Sequence, residues 1–291
     1  MKIDLSNKAW QWTTLLVLAF TWGSSYMLIK YGLKSFDAYQ LASTRILIAF
    51  IVLIPFAWKN LSILKGKYLI PLLFVALFGN GIPAYLFAIA QTHITSSLAG
   101  MLNTTVPLFA LFIGILFGIK IKWVNALGVI IGLAGAIGLI VAGSTERISV
   151  NLQYGLFVIG ATFCYGLTVN IIKKYLQDLN STLITALAFV MIGPPTGIHV
   201  LNSDFAEHLT EPNALLHLGC IALLGVFGTA FAVILFNMLI KHTTALFAAS
   251  VTYMIPVVAI FWGIIDGETV TMMHLLWITI ILLGVYLVNK S

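Results

Sequence analysis

The chain has 291 residues, of which 60% are hydrophobic and only 8% are Asp, Glu, Lys or Arg. Soluble domains carry about 25% charged residues, so this composition excludes a soluble protein and predicts an integral membrane protein. The net charge of +6 is small, and the two cysteines, Cys164 and Cys220, lie in apolar runs that predict neither a disulfide framework nor a zinc site.

Charged and turn residues divide the chain into ten apolar segments, each long enough for a helix that crosses about 30 Å of hydrocarbon. In chain order they cover residues 12–29, 41–58, 69–90, 97–118, 123–142, 154–172, 183–200, 215–240, 246–265 and 272–288. The segments are apolar on all sides and do not alternate, so a β-barrel is not expected. The predicted fold class is an all-α integral membrane protein with ten transmembrane helices.

The distribution of lysine and arginine predicts the orientation, because cytoplasmic loops carry an excess of both. The side that holds the N-terminus has 11 of these residues, and the opposite side has four, which are Lys30, Lys34, Arg45 and Arg147. Both termini are therefore expected in the cytoplasm.

The two halves of the chain repeat each other. At a separation of 149 residues Gly79 matches Gly228, and the pairs His93 and His242, Pro107 and Pro256, and Gly135 and Gly284 follow. The first helix matches at a separation of 143, where Trp22 meets Tyr165 and Lys30 meets Lys173. The sequence thus predicts two five-helix repeats, 1–148 and 149–291. Because five is odd, the second repeat is inverted, an architecture typical of secondary transporters that rock around a central site.

Several motifs resemble the drug/metabolite transporter superfamily in its ten-helix EamA-type branch. They are residues 20–26 (FTWGSSY) followed by Lys30, residues 45–49 (RILIA), the prolines Pro107 and Pro256, and the pair Gly267-Glu268. The first half departs from the last motif, with Gly118-Ile119-Lys120 in its place. The resemblance covers nearly the whole chain, and it implies transport of small organic solutes, often the export of amino acids, metabolites or drugs.

Polar and aromatic side chains inside the spans are the candidate substrate-binding residues, because polar groups in hydrocarbon are costly. They are Trp22, Tyr26, Asn80, Tyr85, Asn103, Thr104, Tyr165, Asn237, Thr252 and Tyr253. The aromatic rings offer stacking or cation–π contacts, and helix packing or a place at the membrane interface is the alternative interpretation.

Glycine and proline mark candidate hinges at Gly79, Gly81 and Pro83 in the third helix and at Pro107 and Pro256. A proline has no N–H for the carbonyl four residues earlier, so the carbonyls of Asn103 and Thr252 are expected to be free. Such carbonyls either line a solute path or are repaired by a local hydrogen bond.

Lys30 and Arg45 are expected on the outer side, against the charge trend, and form a candidate outer gate. One interpretation is structural pairing, of Lys30 with Asp37 and of Arg45 with external acids; the other is recognition of an anion. No Asp or Glu lies in the middle of a span, so a carboxylate proton relay is not expected. Zinc-protease, P-loop and nucleophile-elbow motifs are absent from the sequence, so neither an enzyme nor a cofactor or metal is predicted.

The sequence predicts a transporter of small organic metabolites, such as amino acids or related amphipathic solutes, that works by alternating access in a bacterial inner membrane. Export is favoured by the resemblance alone. The alternative is a channel-like facilitator or a membrane scaffold that transports nothing. The expected partners are a small-molecule substrate and the lipid bilayer, with no nucleic acid. A glycine-rich fifth helix (Gly128, Gly132, Gly135, Gly138) could pack within the chain or form a homodimer.

Overall fold

A computed structural model describes residue 5 and residues 7–118, 122–142 and 148–289. In these ranges the chain is helical and contains no strand. The membrane helices are α1 (Lys8–Gly32), α2 (Ala38–Ala57), α3 (Gly66–Ala90), α4 (Ser96–Leu116), α5 (Trp123–Ala142), α6 (Ile148–Tyr175), α7 (Ser181–Asn202), α8 (Ala214–His242), α9 (245–265) and α10 (Met272–Asn289). Each predicted span corresponds to one of them. Arg147 and residues 119–121 lie outside the described residues.

Helix ends follow local side-chain chemistry. Asp37 begins α2 with a capping box, in which its carboxylate accepts from the N–H of Gln40 while the Gln40 side chain accepts from the Asp37 N–H. The helices α4 and α9 each end before a glycine with positive φ, at Gly118 (92°) and Gly267 (82°). Glycine adopts this left-handed conformation without a steric penalty, so both helices stop at matching places.

Four helices are interrupted at matching places. Seven residues of α3, Val75–Gly81, and eight residues of α8, Leu224–Phe231, form π-helix. Short 3₁₀ turns interrupt α4 at Asn103–Thr105 and α9 at Ser250–Tyr253. The second member of each pair lies 149 residues after the first or overlaps that position, so the interruptions obey the repeat found in the sequence.

The two halves interlock instead of packing side by side. The helices α1 and α9 contact each other, as do α6 and α4, and α2 packs along α7. The helix α5 packs along α10, where a Cβ on Gly284 would lie 2.5 Å from the Gly132 nitrogen. The glycine face of α5 therefore serves packing within the chain and gives the predicted homodimer no support.

The outer surface is apolar. Exposed side chains include Leu116 (79%), Trp123 (77%) and Trp58 (72%), whereas Gln40, Asn103 and Asn237 are buried. Eight helices among the described residues are long and apolar enough to cross a membrane, and two shorter apolar ones, Trp123–Leu139 and Met272–Leu287, accompany them. Water does not solvate such a surface favourably, so the chain is a multi-pass membrane protein.

Candidate functional site

A central cavity lies between the two halves. It holds about 960 Å³ of space free of protein atoms, counting any part open to solvent. The helices α1, α2, α3, α4, α6, α8 and α9 contribute its walls. The residues that line it are Trp22, Ser25, Tyr26, Ile29, Arg45, Val75, Gly79, Asn80, Phe87, Asn103, Val106, Tyr165, Thr168, Val169, Gly228, Thr229, Val233, Phe236, Asn237, Val251 and Thr252.

Many of these residues are paired by the repeat. At a separation of 149 the lining pairs are Gly79 with Gly228, Asn80 with Thr229, Phe87 with Phe236, and Asn103 with Thr252, and at 143 they are Trp22 with Tyr165, Ser25 with Thr168, and Tyr26 with Val169. Both halves thus place equivalent positions around one space, as expected for a site on the axis that relates them.

Aromatic rings form one wall of the cavity. Phe87 contacts Tyr26 edge-on at a centroid distance of 5.7 Å and stacks with Tyr165 at 6.1 Å. Trp22 meets Phe236 edge-on at 5.0 Å, and its indole N–H donates to the Gly228 carbonyl at 2.9 Å. These contacts fix the ring orientations, and they leave an apolar, polarisable surface toward the cavity.

The π-helical segments are stabilised by their own polar side chains. The Asn80 amide donates to the Val75 carbonyl at 3.0 Å, and the Thr229 hydroxyl donates to the Leu224 carbonyl at 2.9 Å. Both bonds span five residues, so each side chain satisfies a carbonyl beside the wide turn. The wide turn is a local weakness of the helix, and π segments of this kind are frequent at functional sites.

The expectation of a free Asn103 carbonyl is wrong. The helix tightens into a 3₁₀ turn, and the Val106 N–H donates to that carbonyl. Pro107 then lies in the first turn of the following α-helical segment, where its missing N–H is not needed. The Thr252 hydroxyl donates to the Ala249 carbonyl at 2.9 Å. The Asn237 amide donates to the Thr185 hydroxyl at 2.8 Å.

Three candidate substrate-binding residues do not line the cavity. The Thr104 hydroxyl donates to the Met101 carbonyl, the Tyr85 hydroxyl bonds Ser43, and Tyr253 follows Thr252 in its 3₁₀ turn. Successive helical residues point about 100° apart, so Thr104 and Tyr253 turn away when Asn103 and Thr252 face inward. The sequence reasoning missed Ser25, Phe87, Thr168, Thr229 and Phe236, which the repeat would have indicated as partners of one another or of predicted residues.

Arg45 lines the central cavity, and the expected pairing with external acids is not formed among the described residues. Its Nε and Nη2 atoms donate to the Thr229 hydroxyl at 3.3 and 3.1 Å. None of the ion pairs in the described part of the chain includes it.

Lys30 forms a different ion cluster from the expected pair with Asp37. Its Nζ lies 2.6 Å from Asp266 and 2.9 Å from Glu268. Glu268, whose side chain is only 4% exposed, also accepts from both the N–H (2.9 Å) and the hydroxyl (2.7 Å) of Ser97 and from the Ser96 N–H (3.1 Å). This Lys30 cluster (Lys30, Ser96, Ser97, Asp266 and Glu268) joins the end of α1, the start of α4 and the loop between α9 and α10.

The acids of the Lys30 cluster are held in their charged form. Lys30 lowers the pKa of Asp266 through its hydrogen bond, against a smaller opposing effect of burial. Burial would raise the pKa of Glu268, but the hydrogen bonds from Lys30 and Ser97 outweigh it and lower the pKa.

Lys173, the repeat partner of Lys30, bonds two backbone oxygens. Its Nζ donates to the carbonyls of Ile240 at 3.0 Å and Thr243 at 2.5 Å. The bonds join the end of α6 to the end of α8. The two matching lysines thus hold helix ends together by different chemistry.

Known proteins are similar to this chain in sequence and in fold. The chain matches the EamA-like transporter family twice, over residues 10–141 and 153–290. The "Uncharacterized inner membrane transporter YedA" of Escherichia coli (strain K12) is 29% identical, over 94% of this chain and 89% of that protein. An "Uncharacterized transporter" of Archaeoglobus fulgidus is 25% identical, over 97% and 99%. A Chlamydia trachomatis serovar L2 "S-adenosylmethionine/S-adenosylhomocysteine transporter" is 25% identical, over 86% and 80%.

A solved crystal structure at 14% sequence identity shares the fold, with a TM-score of 0.64 over 97% of this chain and 96% of the other. The family matches together cover both halves of the chain and include α1 to α10. The chain belongs to the EamA-like transporter family.

Proposed function

We propose that this protein is a secondary transporter that carries small organic metabolites across the bacterial inner membrane by alternating access. The proposed substrates are amino acids or related amphipathic solutes, and the proposed direction is export. The central cavity carries the proposal, because equivalent residues of both halves line it. Its lining of aromatic rings with a few polar side chains suits a small organic solute.

The interrupted helices supply the bending that alternating access requires. The segment that holds Gly79 and Gly81 is π-helical, and Pro83, Pro107 and Pro256 each lie in the first turn of the α-helical segment that follows an interruption. Bending at these hinges would change the side to which the cavity opens and leave the long helices intact. We place both termini in the cytoplasm, which puts the Lys30 cluster at the outer end as a gate.

The inner-membrane location and the substrate class take support from the relatives. One of them is named as an inner membrane transporter, and another is named for two small organic metabolites. The division of the chain at residue 148 into two repeats is part of the same proposal, and the matching interruptions support it.

Counter-flow in proteoliposomes tests this function. We expect saturable uptake that an internal load of the same metabolite accelerates, since a carrier exchanges its solute across the membrane. A channel-like facilitator would give flux that does not saturate, and a scaffold would give none; either result would refute the proposal.

The cavity itself is tested with Asn103→Ala and Thr252→Ala. We expect both variants to reduce counter-flow at least tenfold while the protein remains abundant in the membrane. Thr104→Ala is the matched control, because Thr104 neighbours Asn103 but does not line the cavity. Normal kinetics in both cavity variants would show that the solute passes elsewhere.

A further inference from the structure

Arg45 is the one charged residue among the described residues that line the central cavity. It belongs to α2, whereas α7 (Ser181–Asn202), at the corresponding place in the second half, contains no arginine or lysine. The two halves thus match in the aromatic and polar positions of the cavity but not in charge.

The guanidinium of Arg45 has few partners. Its two hydrogen bonds go to a single atom, the Thr229 hydroxyl oxygen. A guanidinium carries five N–H donors in a planar fork that fits the two oxygens of a carboxylate. No carboxylate side chain in the described ranges forms an ion pair with it. A cation inside a membrane protein without a counter-ion is unfavourable, so this arrangement suits an anion supplied by the solute.

The lining of the central cavity also contains a polar atom that has no hydrogen-bond partner among the described residues. Asn103 is buried, and its Oδ1 has no hydrogen-bond donor among the described residues. This oxygen can only accept, so it is complementary to an N–H or O–H group. The cavity therefore offers unused donors at Arg45 and an unused acceptor at Asn103, with the rings of Tyr26 and Tyr165 in the same walls.

We propose that Arg45 binds a carboxylate of the transported solute and that Asn103 accepts a hydrogen bond from a donor group of that solute. This inference rests on the proposed transport function. One guanidinium balances one negative charge. This favours a solute with a single carboxylate over one with a phosphate group, whose charge is about −1.5 to −2. The aromatic wall then takes the apolar part of the solute.

The test uses the full-length protein in proteoliposomes and a counter-flow panel of anionic, zwitterionic, neutral and cationic metabolites. The panel pairs carboxylates with their amides, for example L-phenylalanine with L-phenylalaninamide and L-leucine with L-leucinamide. We expect every compound that stimulates exchange to carry a carboxylate and each amide to be at least tenfold weaker. Stimulation by neutral or cationic compounds alone overturns the inference and leaves transport intact. If no compound of the panel stimulates exchange, the proposed transport function itself is refuted.

Variants of Arg45 locate the recognition. Arg45→Met should abolish the preference for acid over amide, whereas Arg45→Lys should keep it with a KM about tenfold higher, because lysine retains the charge but lacks the fork. Lys59→Met, which removes an exposed cation, is the control and should behave as wild type.

Thr229→Val separates recognition from a structural role. It removes the hydroxyl that accepts both hydrogen bonds of the guanidinium but leaves the charge of Arg45. We expect this variant to keep the preference for acid over amide. If Arg45 merely ties α2 to α8, Thr229→Val and Arg45→Met will lower the melting temperature and the transport rate alike without changing that preference, and the proposal is then wrong.

Discussion

Replacing Glu268 by glutamine should open the cavity at the proposed outer gate, the Lys30 cluster. Glu268 accepts hydrogen bonds from Lys30, Ser96 and Ser97, so it joins α1 and α4 to the loop after α9. Removal of one partner from a buried ion pair costs about 3–5 kcal/mol. Lys30 keeps Asp266 at 2.6 Å, so the lower limit of about 3 kcal/mol applies. At 1.4 kcal/mol per tenfold change, the ratio of closed to open protein falls about a hundredfold.

Accessibility of a cysteine in the cavity measures this change. Cys164 and Cys220 are first replaced by serine, and Ser25, which lines the cavity, becomes the reporter through Ser25→Cys. The rate of modification by a membrane-impermeant thiol reagent is then measured on spheroplasts and on inverted vesicles. We expect Glu268→Gln to raise the rate ten- to a hundredfold in spheroplasts only.

The control is Glu207→Gln, which removes an exposed acid of the loop between α7 and α8. The same rate in Glu268→Gln and in this control would refute the reasoning, and a rise confined to inverted vesicles would reverse the proposed orientation.

Acid should open the same gate, and the sign follows from the lowered pKa of Glu268. A carboxyl whose pKa is lower in the closed state stabilises that state above its ordinary pKa, about 4.3. The stabilisation is lost as the pH falls through the lowered value. The modification rate of the Ser25→Cys reporter protein with Glu268 intact, corrected for the reactivity of the thiol reagent, should therefore stay flat from neutral pH to about pH 5 and rise below it.

Two further predictions concern packing and the cavity wall. Gly284→Ala places a Cβ 2.5 Å from the Gly132 nitrogen and should lower the stability in detergent by about 1–3 kcal/mol, measured as a lower melting temperature. The control is Gly160→Ala, whose Cβ has its nearest contact at 3.6 Å and should not lower the melting temperature. Equal melting temperatures of the two variants would contradict the close helix contact. Trp22→Phe removes the N–H bonded to Gly228 and should lower stability by about 1–3 kcal/mol and raise the transport KM. Trp262→Phe removes a similar bond to Ser24 outside the cavity lining, so it should lower stability with the KM unchanged.

The sequence was sufficient to predict the helices because each span is an apolar run bounded by polar residues. Glycine and proline marked the interrupted parts of α3, α4 and α9 in advance. They did not mark the interruption of α8, because Ala230 and Ala232 stand at the positions that match Gly81 and Pro83. The type of interruption was not predictable in the same way. Whether a helix beside a proline leaves a carbonyl free or tightens into a 3₁₀ turn depends on how the backbone relaxes, and the Val106 N–H reaches the Asn103 carbonyl only after that relaxation.

Arg45 shows why the position of a side chain could not be predicted from the sequence alone. The hydrophobic pattern starts the second span at residue 41, which places Arg45 near an end. The Asp37 capping box starts α2 at Ala38 instead, and Arg45, seven residues further along, lies about 10 Å from the start of the helix. The hydrophobic pattern locates apolar residues only. It does not indicate that the polar turn capped by Asp37 extends the helix at its start. A helix that starts three residues earlier places Arg45 about two turns from its end, where the side chain lines the cavity.

The difference between the two lysine sites bears on which state the transporter prefers. Lys30 bonds two carboxylates, one of them almost fully buried, while Lys173 bonds two neutral carbonyls. Both lysines donate from a charged ammonium, but only Lys30 is also attracted by two full negative charges, so the Lys30 end is held more firmly. The repeat position of Glu268 is Ile119, so the sequence itself carries this asymmetry. In the proposed alternating-access cycle the protein therefore rests closed at the Lys30 cluster, and binding of a solute in the cavity must supply the free energy that opens it.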